Sequence, residues 1–312
     1  MPDTGKRQST RARARGRTFI IAMALASSLA TLGVAAPAQA APKGILAVFS
    51  DCPASTPGVE LCLYSQVTSG EVKLGSTAVP INKTIVLQSG AIPTPSGEYV
   101  LIPAKDGNSL SKTELNVPGG LTDLVNCTEI KGNGIFEVIE RESCKAIFEN
   151  SVTGVTATTE LVANEHNPAT FNLNAFASGT GTSIVLPVRV RLNNPLLGSG
   201  CYIGSESNPI ELHLTDGTTS PPPPNKPISG KPGEYVEEEE GSFIFPAFHN
   251  STLVDNAFSA PAAEGCGGFF SFLLDGILDA KIGLPSAAGH NTAILTGTTK
   301  VAAAEEVVAS EK

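Results

Sequence analysis

Apolar and polar residues alternate in short runs along most of the chain. Val59, Leu61 and Leu63 fall on one side of an extended backbone, with Glu60 between them. Val188, Val190 and Leu192 alternate with Arg189 and Arg191, and Ile210, Leu212 and Leu214 alternate with Glu211 and His213. Strand side chains point to opposite faces in turn, so each run gives a strand with one dry and one wet face, as in an antiparallel sheet solvated on one side. Further runs rich in Thr, Val and Ile predict strands at 45–49, 84–88, 98–102, 112–117, 135–140, 152–162, 243–248 and 292–299. Turn chemistry separates them, as in Asp106-Gly107-Asn108, Gly132-Asn133-Gly134 and Asp216-Gly217. One segment has a helical character: Phe269, Phe270, Phe272, Leu273, Leu274, Ile277 and Leu278 predict a short helix over 269–282. Asp275 and Asp279 interrupt it, so it does not read as a membrane span. The expected fold class is all-β, an antiparallel β-sandwich-like architecture with one short helix, stapled by disulfides.

The ends of the chain read differently. Residues 6–17 carry six basic side chains, an apolar run follows from Phe19 to Ala36, and Ala38-Gln39-Ala40 offers a small-x-small cleavage site. That order predicts a secretory signal peptide over 1–40, with the mature chain starting at Ala41. Residues 41–300 are expected to form one all-β secreted region, with a Pro-rich loop at 218–234. The four consecutive prolines at 221–224 favour a stiff polyproline II stretch. Residues 301–312, rich in Ala, Glu and Val, read as a flexible tail.

Removing the signal peptide takes 6 of the 21 basic and 1 of the 30 acidic side chains, leaving 15 against 29, a net charge of −14. Such a surface argues against nucleic acid as a partner, since phosphate neutralisation needs basic side chains. All six cysteines survive cleavage: Cys52, Cys62, Cys127, Cys144, Cys201 and Cys266. An even count in an exported chain points to disulfides. The absence of a Cys-x-x-Cys spacing, or of a His at ligand spacing, argues against a metal centre. Sequential pairing is the expectation: Cys52–Cys62, Cys127–Cys144 and Cys201–Cys266.

Catalytic patterns are sparse. There is no Gly-x-Ser-x-Gly elbow. Ser109 and Lys112 form a literal Ser-x-x-Lys, but it follows a turn and precedes a strand-like run, where a helix start is needed for the Lys to reach the hydroxyl. Of the four histidines, His166 and His290 sit in turns, and His213 faces solvent from a strand beside Glu211. His290, in Gly289-His290-Asn291-Thr292, is the best candidate of these for a site, with a turn-stabilising role as the plainer alternative. Asp275 and Asp279 share a helix face and offer a carboxylate pair. Glu237-Glu238-Glu239-Glu240 reads as a solvated acidic loop. No cofactor is implied.

From Leu121 onward several stretches carry a resemblance: Leu124-Val125-Asn126-Cys127, the run at 187–198 beginning Pro-Val-Arg-Val-Arg, Cys201-Tyr202-Ile203-Gly204-Ser205, Asn208-Pro209-Ile210, the Pro-Pro-Pro-Pro-Asn-Lys-Pro at 221–227 and the Gly-Leu-Pro-Ser run at 283–293. Over roughly 121–300 the chain resembles a group of secreted actinobacterial proteins of unknown function. The resemblance implies export from a Gram-positive bacterium and carries no activity, ligand or catalytic residue. The function expected is that of a secreted, non-enzymatic extracellular or cell-envelope protein, binding or structural. Its partner would be a surface or envelope component, loose association with the cell wall fits that setting, and the mature chain would have no membrane span. The competing class is an exported hydrolase with a dispersed active site.

Overall fold

A computed structural model describes residues 41–120 and 154–312, together with residues 132, 134, 135, 137–139, 141 and 142. The described residues belong to one unit, Gln39–Lys312. Its strands are β1 (Leu61–Leu74), β2 (Thr77–Ile81), β3 (Ile85–Pro93), β4 (Tyr99–Ile102), β5 (Glu114–Asn116), β6 (Thr156–Leu161), β7 (Thr170–Phe171), β8 (Ile184–Asn193), β9 (Tyr202–Ile203), β10 (Ile210–Leu214), β11 (Glu234–Glu240), β12 (Phe243–Asp255), β13 (Ala263–Glu264) and β14 (Thr292–Ala303). The helices used below are α1 (Leu173–Ser178), α2 (Ser271–Ile282) and α3 (Ala304–Ser310).

All strands join one antiparallel sheet in the order β11-β12-β14-β1-β3-β4-β7-β8-β6-β5, with β2 branching from β1, and β9 and β10 from β8. The sheet does not close on itself, and β11 and β5 are its terminal strands. It wraps around a core in which Leu63, Phe171, Ile184, Leu192, Ile210 and Leu214 are almost wholly buried. A two-way backbone bridge between Thr215 and Val254 ties the turn after β10 to β12. The expected alternation is clearest in β10, where Ile210, Leu212 and Leu214 are buried and Glu211 and His213 exposed.

β1 is the spine. It pairs with β14 from Leu61 to Lys73, while its other edge pairs first with β3 and then, from Gly70, with β2. The change of partner coincides with a register shift between Val67 and Ser69. Such a bulge bends a strand. Glycine is required there: a Cβ on Gly70, at φ +133°, would run into the carbonyl of Ile294, and one on Gly297 into that of Gln66.

Two disulfides fall where sequential pairing placed them. Cys52–Cys62 has Cα atoms 5.6 Å apart, and Cys201–Cys266 has them 4.0 Å apart. Cys127 and Cys144 lie outside the described residues. The Pro-rich segment folds back as a loop. Thr218 bridges Ser229, Lys231 bridges Thr252, and the Asn225 amide donates to the carbonyls of Asn256 and Asn291.

Four expectations need correction. Residues 45–49 form no strand. Gly44–Phe49 is a 3₁₀ helix, in which Leu46 and Phe49, three apart, share one buried face. Residues 135, 137–139, 141 and 142 are helical, not extended; Ile135, Val138 and Ile139 have i, i+3, i+4 spacing. The acidic run Glu237–Glu240 belongs to the edge strand β11, where Glu238 pairs with Lys300 at 2.7 Å. Charges along an exposed edge hinder pairing with another chain.

The fourth correction concerns the end of the chain. Residues 301–312 are not a flexible tail: β14 runs to Ala303, and α3 buries Val307 completely. Val307 joins Leu46, Phe49, Cys62 and Phe245 in a second, smaller core on the outer face of β1. Leu63 points into the main core and Cys62 into this second one, so β1 is covered on both faces there.

Candidate functional site

The wrapped sheet leaves an interior cavity of about 140 Å³. Its wall comes from the inward faces of β1, β2, β3, β5, β6, β8, β9, β10, β12 and β14. Leu87, Leu186, Val188, Leu212, Leu214 and Leu253 are typical of the lining, and Ile282 of α2 contributes from the helix. Among the described residues no charged side chain lines the cavity, and the polar groups that do are the hydroxyls of Ser65, Thr77 and Thr159. Ser65 Oγ lies 2.9 Å from Thr299 Oγ1, which satisfies it locally. A space of this size, walled by aliphatic groups, accommodates a benzene-sized apolar molecule. Val67, Val79 and Ile85 are only half-buried and mark the approach from the β1–β2–β3 end.

Two polar grooves flank the loop at 106–112. One, of about 740 Å³, runs between Val100–Lys112 and Glu160–Pro168. The other, of about 320 Å³, includes Asp51, Gln88, Asp106 and Ser111. Both contain Ser109 and Lys112. The Ser109 hydroxyl is buried and accepts the Ala104 N–H at 3.0 Å, whereas Lys112 is exposed. Ser109 thus serves the turn, and the helix start that a Ser–Lys pair needs is not formed.

A shallow groove of about 230 Å³ gathers His213, Asp255 and the hydroxyls of Thr215, Thr218, Thr219 and Ser220. Its groups are largely engaged. Asp255 accepts the backbone N–H groups of His213 and Ala257 at 2.7 and 2.8 Å, and burial raises its pKa above the usual carboxylate value. The His213 ring lies 3.1 Å from Glu211. Thr215 Oγ1 accepts from Gly217 N–H, and Thr218 Oγ1 lies 2.8 Å from Ser229 Oγ. Nearby Asp216 is 1% exposed. One of its oxygens accepts the Ser183 hydroxyl and the other has no partner, and burial raises its pKa.

The remaining sequence candidates are dispersed. His290 is exposed, and its N–H donates to Ala287 O within a turn. Its neighbour Asn291, which the sequence did not single out, is wholly buried. Asn291 accepts from Gly75 N–H and donates to Phe258 O, tying three loops together. Asp275 and Asp279 also have structural work. Asp279 accepts Ala263 N–H at 2.7 Å, and Asp275 accepts Cys266 N–H at 2.7 Å and Gly265 N–H at 3.2 Å. Burial, reinforced by the Asp275 charge, raises the pKa of Asp279. The pair clamps the Cys266 loop onto α2. His166 sits exposed in a turn organised by Asn164, whose side chain accepts its N–H at 2.9 Å.

Among the described residues no three His, Cys, Asp or Glu side chains converge as metal ligands, and no helix is long and apolar enough to cross a membrane. The lining of the cavity was hidden in the sequence, because inward strand residues that pack a core and those that surround a space have the same pattern. Comparison with protein-family models, with curated proteins and with solved structures yields no match.

Proposed function

We infer that this is an exported binding protein that holds a small, uncharged, apolar molecule inside its sheet. The observation that carries this reading is the 140 Å³ interior cavity with its uncharged, mainly aliphatic wall. A wall of this kind gains free energy by taking apolar surface out of water, and its three hydroxyls have no His, Lys or carboxylate beside them in the lining to activate them. Export is supported by the signal-like residues 1–40 and by two buried disulfides, which persist in oxidising compartments. A structural envelope role alone gives no account of the cavity.

The alternative, an exported hydrolase, draws on the groove at His213 and Asp255. Against it stand the backbone hydrogen bonds that already occupy Asp255 and the local partners of the Thr hydroxyls.

The test is thermal unfolding with benzene, n-hexane or hexanoate, in wild type and in Ala157→Leu, which extends a side chain from the cavity wall. Benzene and n-hexane should raise Tm, by the equivalent of about 2.7 kcal/mol at a hundred times Kd. Hexanoate should do less, since its carboxylate resists burial. Ala157→Leu should abolish the response. A wild type indifferent to all three probes, or a variant that responds equally, would overturn the reading.

A further inference from the structure

Three phenylalanines lead into α2 with their rings in solvent. Phe269 is 89% exposed, Phe270 51% and Phe272 79%. Phe269 and Phe270 lie edge to face, 5.6 Å between centroids. Large rings so exposed on one short segment mark an interaction site more often than an accident.

The segment is held firmly. Cys266, disulfide-bonded to Cys201, lies three residues before Phe269. Asp275 and Asp279 clamp the backbone at 263–266, and Gly267 N–H donates to Leu197 O. Beneath the rings Leu274, Leu278 and Ile282 anchor the helix in the main core. Gly267 is required, since at φ +81° a Cβ there would run into Leu274. The rings are therefore presented on a platform, and among the described residues they stay largely exposed even where Phe269 and Phe270 touch.

We propose that this platform docks the protein onto an uncharged lipid surface, with the three rings entering the boundary between headgroups and acyl chains. Two observations select this occupant. First, no charged residue lies between Gly265 and Leu274; of the two flanking carboxylates, Asp275 is turned onto backbone N–H groups and Glu264 stands five residues before Phe269. Without residues 1–40 the chain is acidic, with 15 basic against 29 acidic side chains, a net charge of −14. It therefore repels a second copy and an anionic bilayer alike, and leaves apolar insertion as the attraction. Second, phenylalanines of about 200 Å² each, at these exposures, offer roughly 440 Å², about half of the ~800 Å² that each partner contributes to a stable dimer. Three protruding rings of that area fit a fluid apolar layer better than a rigid facing surface. The proposal is independent of the cavity, although Ile282, at the far end of α2, lines it.

The chain outside residues 1–40 has no tryptophan, so Phe272→Trp introduces a single fluorescent reporter at the platform. With phosphatidylcholine vesicles its emission should shift to the blue and be quenched by brominated acyl chains. The wild type should co-sediment with these vesicles, at least as well as with phosphatidylglycerol vesicles, and with little dependence on salt. Phe269→Ser/Phe272→Ser should lower the partition coefficient at least about tenfold with Tm unchanged, as expected where the replaced rings make few contacts. The proposal is overturned by any of three results. These are no vesicle binding by wild type, equal binding by the double variant, or a concentration-dependent dimer, seen by light scattering, that the double variant abolishes.

Discussion

The two described disulfides differ mainly in the length of chain they close, and this sets an order of stability that can be measured. Cys52–Cys62 spans a separation of 10 residues and Cys201–Cys266 one of 65. If cross-links act by restricting the unfolded chain, their removal costs about 2.7 and about 4.3 kcal/mol respectively at 25 °C. All four cysteines are wholly buried, so Cys→Ala replacement leaves comparable packing defects in both pairs. The difference that remains, about 1.6 kcal/mol, belongs to the loops. The assay is urea unfolding of Cys52→Ala/Cys62→Ala and of Cys201→Ala/Cys266→Ala, followed by circular dichroism. The midpoint shift of the second variant should be about 1.6 times that of the first, since midpoint shifts scale with stability at a common m value. The opposite order would refute the loop account. It would mean that Cys52–Cys62 acts chiefly by holding the second core, which packs Gly44–Phe49 and α3 onto β1. Equal shifts would refute it as well.

Three further outcomes are expected. Val307→Ala should cost about 2 kcal/mol, because Val307 is fully buried and loses two methyl groups, whereas Glu305→Ala should change stability by less than about 0.5 kcal/mol; a neutral Val307→Ala in chemical denaturation would mean that α3 is not docked. Asp216, whose pKa is raised by burial, keeps a proton that the unfolded chain has already lost, so its contribution falls as pH rises from the unfolded value of 3.8 through the higher folded one; Asp216→Asn should flatten that decline in a series of Tm measurements between acid and neutral pH, and an unchanged slope would contradict it. His290→Ala should lower stability by no more than about 0.5 kcal/mol and leave benzene uptake intact, while loss of an ester-hydrolysing turnover by about 10²–10⁴ in either His290→Ala or His213→Ala would establish the hydrolase instead.

The sequence displayed the sheet well where one face is dry and the other wet. Ile210, Leu212 and Leu214 behave as their alternation requires, as do Val188 and Leu192 with Arg189 between them, which pairs with Glu160 at 2.8 Å. Legibility failed where a strand is covered on both faces. Cys62 and Leu63 are adjacent and both buried, which alternation cannot express. The elements that cover the outer face, Gly44–Phe49 and α3, were accordingly misread as a strand and a tail. Their apolar residues, Leu46 with Phe49 and Ala304 with Val307, recur every three positions, but over too few turns to declare a helix. The polar candidates failed for a different reason. Asp275 and Asp279 share a helix face as expected, but sequence does not show that the backbone of 263–266 lies against it. The Phe cluster was visible in the sequence as part of a short helix over 269–282, with nothing to say which of its apolar residues face the core. Only the fold reveals that Leu274, Leu278 and Ile282 fill that role and leave the rings outside.

The pairing of β1 with β14 has a consequence for how the molecule is made. These strands share a ladder from Leu61–Ala303 to Lys73–Thr292, so the first strand of the sheet finds its long neighbour in the last. Nearly the whole sequence intervenes, and bringing the two together carries a large loop-closure cost before any contact repays it. During synthesis β1 can pair with β2 and β3, which follow it closely, but one of its edges stays open until the final strand emerges. The nascent chain therefore has no completed sheet to trap it early and exposes an unpaired, partly apolar strand throughout its growth. Such a chain depends on protection from aggregation while it grows and commits to its native topology only when the terminal segment arrives.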